Sequence, residues 1–436
     1  MIKFRHALGI TLVLQSVAML CGIGFQVLSA RWLGVAARGQ FALLVAGGQV
    51  AASVIGLGLP GAISFYAASR PDSIPLLARR ELVLLLATFG ASGAALVANR
   101  LLFPDSMLVG AGVWFGIYVV GSVAQPAFAS LALASGAVVV SNLTTVAAAA
   151  GSLLLVLAFG LSGPLSASAA FGSLATATVL GAALGVADAA SRGLFEKPTI
   201  REPTWGAQVR IGGAAFMSSI LALLMFRADI FLLAALGGGA RAAGLYSVGV
   251  LAAELLVRIP TWTATILAPA VSARPTDARR ITVRLFWLSL LFIVLAASPI
   301  VLLPSATRWL LGAVVGPDFV DSYVVLVLMV PRAIVQAGGA ILFGNLAGKG
   351  YSFYHPLACG VGLCLLCGVD LLLVPRLGMV GAAVGSVIGY LGATLVAFKG
   401  FLVLNESTAR EFGVESVAEV VRWRRGLRMR LGRLRA

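Results

Sequence analysis

From residue 7 to residue 404 the chain is a succession of apolar stretches separated by short connections. A membrane-crossing helix needs about 20 apolar residues, because water is absent and every backbone polar group must be satisfied within the segment. On that length the sequence predicts twelve spans: 7–30, 40–66, 81–103, 108–134, 138–162, 165–187, 208–236, 244–270, 283–303, 323–347, 354–374 and 378–404. Only a short SGPLSAS linker, Ser162–Ser168, separates the fifth from the sixth. Charged residues make up 11% of the chain, against about 25% in soluble domains, and the mean hydropathy is +1.01. The expected fold is therefore an all-α polytopic membrane protein with no sizeable soluble domain. Lys3 and Arg5 followed by an apolar run to Ala30 imitate a signal peptide, but read with the later spans they mark an uncleaved first span.

The formal charge of +16 would point a soluble protein toward nucleic acid. Here the positive-inside rule accounts for it, and nucleic acid is not an expected partner. With the N-terminus inside, twenty-three of the 32 Lys and Arg residues fall on inner segments and six on outer ones: Arg31, Arg38, Arg100, Arg241, Arg308 and Arg376. That asymmetry places both termini in the cytoplasm and calls for an even number of spans.

An internal repeat divides the chain. LGVAARGQF at 33–41 is followed by an apolar span ending at Ala68-Ser69-Arg70-Pro71, and LGGGARAAGLY at 236–246 by one ending at Ser272-Ala273-Arg274-Pro275. Arg38 matches Arg241, and Arg70 matches Arg274. With six spans per half, both copies sit at the connection between first and second spans. The expectation is two parallel six-helix lobes, 1–190 and 208–404, related by a pseudo-two-fold axis along the membrane normal and joined by a cytoplasmic linker, 191–207. In the tail, 405–436, Val417, Val420, Leu427, Leu431 and Leu434 recur at helical spacing among seven arginines. This predicts a basic amphipathic helix on the anionic inner leaflet.

Few motifs could carry chemistry. Gly56-Leu57-Gly58-Leu59-Pro60-Gly61 matches GxGxxG in letters, but it lies inside a span with no preceding strand, so it reads as a bend and not a nucleotide site. Gly381, Gly385 and Gly389 recur every four residues, as on a helix-packing face. Cys21, Cys359, Cys364 and Cys367 lie in apolar runs with no second pair to complete a metal site. The two histidines, His6 and His355, form no nucleophile–base pair, and no ATP signature is present, so neither enzyme activity nor a cofactor is expected.

What remains is charge at membrane depth, which is costly and marks functional sites. Arg227, Asp229, Glu254, Arg258 and Arg332 lie within predicted spans. Glu254 and Arg258, four apart, share a helix face and can pair. Arg227 and Asp229, two apart, point to different faces, so Asp229 is expected to pair with another helix. Pro331 directly precedes Arg332, and no acid is near it in sequence. Arginine's planar fork suits a phosphate, so Arg227, Arg258 and Arg332 are the candidate substrate-binding residues, with Asp229 and Glu254 as charge-pairing or ion-coupling groups.

The segment RADIFLLAALGGGARAAGLYSVGVLAAELLVRIP, Arg227–Pro260, resembles the start of the second half of polysaccharide exporters of the multidrug/oligosaccharidyl-lipid/polysaccharide superfamily. Arg31-Trp-Leu-Gly through Gln40-Phe-Ala-Leu43 resembles their first connection, and Gly58-Leu-Pro-Gly-Ala62 the turn in their second span. Leu310-Leu-Gly with Gly316-Pro-Asp-Phe319 is similar to their outer segment before the tenth span, and Leu371–Ala383 to the connection between their last two. The resemblance implies a MATE-like fold of two six-helix lobes around a central cavity. It also implies alternating access and flipping of undecaprenyl-pyrophosphate-linked oligosaccharides across a bacterial inner membrane, with other polysaccharide-assembly proteins as candidate partners. By motif it carries over only Arg227 and Asp229. Two other readings stand beside it. A multidrug cation antiporter would need acids, of which Asp229 and Glu254 qualify. A membrane polymerase or ligase would need a polar outer loop longer than 304–322.

Overall fold

The computed structural model describes residues 2–102, 107–196, 203–273 and 277–413. Its helices, in chain order, are α1 (Ile2–Gly56), α2 (Leu59–Ser69), α3 (Ile74–Leu102), α4 (Met107–Ala134), α5 (Val138–Ser162), α6 (Ala167–Ser191), α7 (Trp205–Leu236), α8 (Gly239–Ala273), α9 (Ala278–Leu302), α10 (Pro304–Val314), α11 (Ser322–Gly348), α12 (Tyr354–Leu377) and α13 (Met379–Leu404). No strand occurs among the described residues. Ten of the helices are long and apolar enough to cross a membrane, with α1 counted once.

Helix α1 holds 55 residues, a length of about 80 Å at 1.5 Å per residue, against a hydrocarbon core of about 30 Å. It is broken at Gly34, whose φ of 70° and ψ of 173° lie outside the range open to residues with a β-carbon. The expected loop between the first two spans is thus one non-helical glycine. Arg38, expected on an outer connection, lies inside the helix and is only 3% exposed. The second span, expected as 40–66, is likewise two helices. Leu57 and Gly58, at φ 45° and 69°, separate α1 from α2, and Pro60 sits in the first turn of α2, where its missing N–H costs nothing. A β-carbon at Gly58 would fall 2.1 Å from the Gly212 carbonyl oxygen of α7. The bend expected from the Gly56–Gly61 motif is therefore real, and it serves a close helix crossing.

Two compact units are present. The first comprises the chain up to Arg227 together with Gly238–Leu245 and Leu311–Phe319. Within it α6 takes α4 and α5 against a face of small residues, and α1 packs on α5. Small residues let membrane helices approach until backbones touch: a β-carbon at Gly181 would lie 2.5 Å from the Thr144 carbonyl oxygen. Phe25, Phe41, Tyr118 and Phe171 form an aromatic core. Arg79 and Arg80 of α3 fasten the connection before α7, donating to the carbonyls of Phe195 (2.8 Å) and Pro203 (2.7 Å).

The two copies of the internal repeat meet in this unit. A β-carbon on Gly39 would lie 1.7 Å from the Ala240 carbonyl oxygen, and one on Gly244 1.9 Å from that of Val35. The contact is reciprocal. It pairs Gly39 with Gly244 and Val35 with Ala240, each 205 residues apart. The sequence match of Arg38 with Arg241 is displaced by two residues from that register, and the two arginines differ accordingly: Arg38 is buried and Arg241 exposed.

The second unit comprises Ala228–Gly237, Tyr246–Leu310 and the chain from Val320. Here α13 packs on α12 and α11, and α11 on α9. The glycine face expected on α13 is the one that meets α12: β-carbons on Gly381 and Gly389 would lie 2.6 Å from the Leu373 carbonyl carbon and 2.8 Å from the Gly362 carbonyl oxygen. Lys349 Nζ closes the end of α13, donating to the Leu404 carbonyl (3.0 Å) and Asn405 Oδ1 (2.7 Å). Lys349→Met should therefore lower stability by about 1 kcal/mol, read as a small fall in Tm in detergent with unchanged membrane abundance. Beyond α13, Thr408 and Glu411 exchange side-chain-to-backbone hydrogen bonds (2.9 and 3.2 Å), a reciprocal helix cap. Phe412 is buried against Phe286, Phe398 and Phe401. Residues 414–436 of the expected basic tail lie outside the described residues.

Candidate functional site

The charges expected at membrane depth fall into two groups, one in each unit. In the second unit the centre is Asp229, 2% exposed on the last turns of α7. Its Oδ2 accepts from the Tyr246 hydroxyl of α8 and from Ser386 Oγ of α13 (3.1 Å), while Oδ1 accepts from the Ile230 amide (2.8 Å). Asp229 thus does pair with other helices, through hydroxyl groups. Arg332, also 2% exposed, lies on α11, which runs on as a helix through Pro331. It donates to the Tyr390 hydroxyl (3.1 Å) and its guanidinium lies 4.4 Å from the centre of that ring. Tyr390 is one turn beyond Ser386, so one face of α13 serves both charges. Asp229 and Glu254 lie within electrostatic range of Arg332. Arg332, which has no acid near it in sequence, thus has two within electrostatic range in space.

Helix α12, packed on α13, brings in a carboxylate absent from the expected site. Asp370 of α12 is fully buried, within electrostatic range of Asp229, and among the described residues neither of its carboxyl oxygens has a hydrogen-bond donor. It fits only because position 385 is glycine, where a β-carbon would lie 1.8 Å from Asp370 Oδ1. The depth rule that selected Asp229 and Glu254 selects Asp370 as well, since it is the one acid in the span 354–374. Glu254 is half-buried on α8, and Arg258, one turn on, is exposed.

In the first unit the group is cationic. Arg227, half-buried on α7, donates from Nε to Gln49 Oε1 of α1 (3.0 Å) and stacks over Phe226. Tyr118 of α4 lies against Gly48, where a β-carbon would fall 2.4 Å from the Tyr118 ring. Arg38 donates to Ser29 Oγ (2.9 Å) and Gln26 Oε1 (2.6 Å) and lies 5.0 Å from the centre of the Phe41 ring. The two arginines are near enough to repel each other. Nothing in the sequence distinguished Arg38 from a loop arginine except its place in the repeat.

Chemically the arrangement provides buried charge held by hydroxyls and amides, acid-rich in one unit and cationic in the other. Among the described residues no three His, Cys, Asp or Glu side chains gather as metal ligands. The His355 ring packs edge-on against Phe343 and lies beside Cys359 Sγ.

No family model and no curated protein matches the chain. Solved structures do match over nearly its whole length. One is a MOP superfamily transporter from Pyrococcus furiosus, at 17% identity over 92% of this chain and 93% of that one, with a TM-score of 0.63. Another is an inward-facing multidrug resistance MATE family transporter of the MOP superfamily, at 16% identity over 92% and 100%, with a TM-score of 0.66. A third is the Vibrio cholerae MATE transporter VcmN in its bent form, at 14% identity over 95% and 98%, with a TM-score of 0.60. At these identities the likeness establishes the architecture: the chain is an all-α polytopic membrane protein with the fold of the MATE transporters.

Proposed function

We propose that the chain is a transporter that carries undecaprenyl-pyrophosphate-linked oligosaccharide repeat units from the cytoplasmic to the outer leaflet of a bacterial inner membrane. Two six-helix lobes, 1–190 and 208–404, joined by 191–207, would alternate access with both termini in the cytoplasm and the tail 405–436 on the inner leaflet. The carrying observation is the pair of almost fully buried arginines, Arg38 and Arg332, with Arg227 half-buried on α7 and Arg258 exposed on α8. Charge at such cost is kept for ligands and partners, and guanidinium forks match the oxygens of a diphosphate. Arg332 and Arg258 would hold the diphosphate, while Asp229 and Glu254 balance their charge and couple the cycle to an ion. The sequence resemblance to polysaccharide exporters points the same way. The Pyrococcus furiosus neighbour is described as having a binding pocket of reverse polarity that suggests a different function, so one fold serves more than one polarity.

A strain lacking the protein should accumulate lipid-linked repeat units on the cytoplasmic side and lose surface polymer. Wild type should restore export, whereas Arg332→Ala and Arg258→Ala should reduce it at normal membrane abundance. Full export by both variants would remove those arginines from the mechanism. Accumulation on the outer side would instead indicate a polymerase or ligase.

The second reading, a multidrug cation antiporter, draws on Asp370. Together with Asp229 it provides two buried carboxylates in one unit, the groups such exchange requires. Unchanged polymer with raised drug susceptibility in the deletion strain would favour it.

A further inference from the structure

Helix α9 turns one basic and apolar stripe outward. At 3.6 residues per turn, Arg280, Arg284, Trp287 and Leu291 fall within an arc of about 60°, and all four are exposed. Leu295 and Leu302 continue the stripe, at 62% and 73% exposed. The opposite face is the packed one: Asn345 Nδ2 of α11 donates to Thr282 Oγ1 (2.8 Å), and Ser289 and Ile293 are buried. Arg284 and Leu302 lie about 27 Å apart along the axis at 1.5 Å per residue, close to the ~30 Å of a hydrocarbon core. The two arginines therefore stand at headgroup level, with Trp287 one turn deeper, where tryptophan collects at membrane interfaces.

Trp287 is held at that level. Its ring meets Phe286 edge-on, with centres 5.6 Å apart, and Phe286 meets Phe412 in the same way at 5.5 Å. Beside them Arg279 pairs with Glu411 (4.0 Å). This end of α9 thus commits one arginine to the protein and turns two outward, on a helix that carries no acid of its own.

We propose that Arg280, Arg284 and Trp287 form a binding site for the headgroup of an anionic phospholipid, whose acyl chains lie along Leu291 and Leu295. Guanidinium forks one turn apart each take phosphate oxygens, and the indole packs where headgroup meets chain. A zwitterionic lipid brings an ammonium that the two arginines repel, so the site selects net negative charge. It lies on the side of α9 turned away from α11 and does not depend on what the chain transports.

The test is native mass spectrometry of the purified full-length protein in neutral detergent, with phosphatidylglycerol or phosphatidylcholine added at equal concentration. Wild type should prefer phosphatidylglycerol, and Arg280→Gln and Arg284→Gln should each lower its affinity about fivefold. Phosphatidylcholine affinity should stay within about twofold in both variants, and so should phosphatidylglycerol affinity in Arg241→Gln, since each variant removes only one of 32 basic residues. Equal affinity of wild type for the two lipids would overturn the proposal, as would wild-type phosphatidylglycerol affinity in both glutamine variants. A loss as large in Arg241→Gln would reduce the effect to net charge and overturn it too. A wild-type dimer that Arg284→Gln converts to monomer, with no lipid preference, would assign the face to a second copy of the chain. Should the arginine variants fail to fold, phosphatidylglycerol with brominated acyl chains decides. It should quench wild-type tryptophan fluorescence more than brominated phosphatidylcholine does, and Trp287→Phe should remove that excess; an unchanged excess would sink the site.

Discussion

Gly39→Val and Gly244→Val are each expected to abolish accumulation of folded protein in the membrane. In each case a first side-chain carbon would enter another helix's backbone, at 1.7 Å from the Ala240 carbonyl oxygen or 1.9 Å from that of Val35. A backbone oxygen cannot swing aside as a flexible side chain can, so the whole crossing must open. Overpacking that moves backbones costs about 3 kcal/mol or more, a large part of a typical domain's stability. Even Gly39→Ala should be severe, because the clash is with the β-carbon itself. Gly22→Ala, on the same helix but with open space around it, is the control and should be nearly neutral. Membrane abundance and a monodisperse size-exclusion peak are the readouts. A well-behaved Gly39→Val protein would show that the two copies of the repeat do not meet at this crossing.

Hydropathy made the spans legible wherever a helix is bounded by turns. Helices α5, α6 and α13 follow the expected 138–162, 165–187 and 378–404 to within a few residues. It failed where polar residues lie inside a helix. Arg31 and Arg38 read as a loop because charge usually marks water, yet Ser29 and Gln26 each accept a hydrogen bond from Arg38 within α1 and Gly34 alone supplies the bend. The acids and arginines of the candidate site were largely visible from depth, but their partners were not. Tyr246, Ser386 and Tyr390 reach Asp229 and Arg332 from 17 to 157 residues away. Pairing by helical spacing could propose only Glu254 with Arg258. The structure instead leaves Arg258 exposed and puts Glu254 within range of Arg332.

Asp229 and Asp370 are close in space and alike in chemistry, yet their asparagine variants are expected to differ in sign. Asp229→Asn should lower stability by about 2 kcal/mol, since two hydroxyls donate to Oδ2 and the Ile230 amide to Oδ1, so the replacement's N–H₂ must face either both hydroxyls or that amide. Asp370→Asn is nearly isosteric and breaks no hydrogen bond, so the protein should melt at the same temperature or higher. Reaction of the four free cysteines with a thiol dye during heating provides the readout. A carboxyl group buried without a donor is satisfied only by a proton or a bound cation; on the transport reading proposed above, Asp370 is then expected to take part in energising the cycle. Asp370→Asn should therefore retain its fold and lose ion-coupled transport about tenfold or more in proteoliposomes, where an imposed ion gradient drives the cycle. Gly385→Ala should imitate that loss with a cost in stability, because its β-carbon would displace the Asp370 carboxylate. Asp370→Asn with full gradient-driven transport would reduce Asp370 to packing, and the coupling would then rest on Asp229 and Glu254.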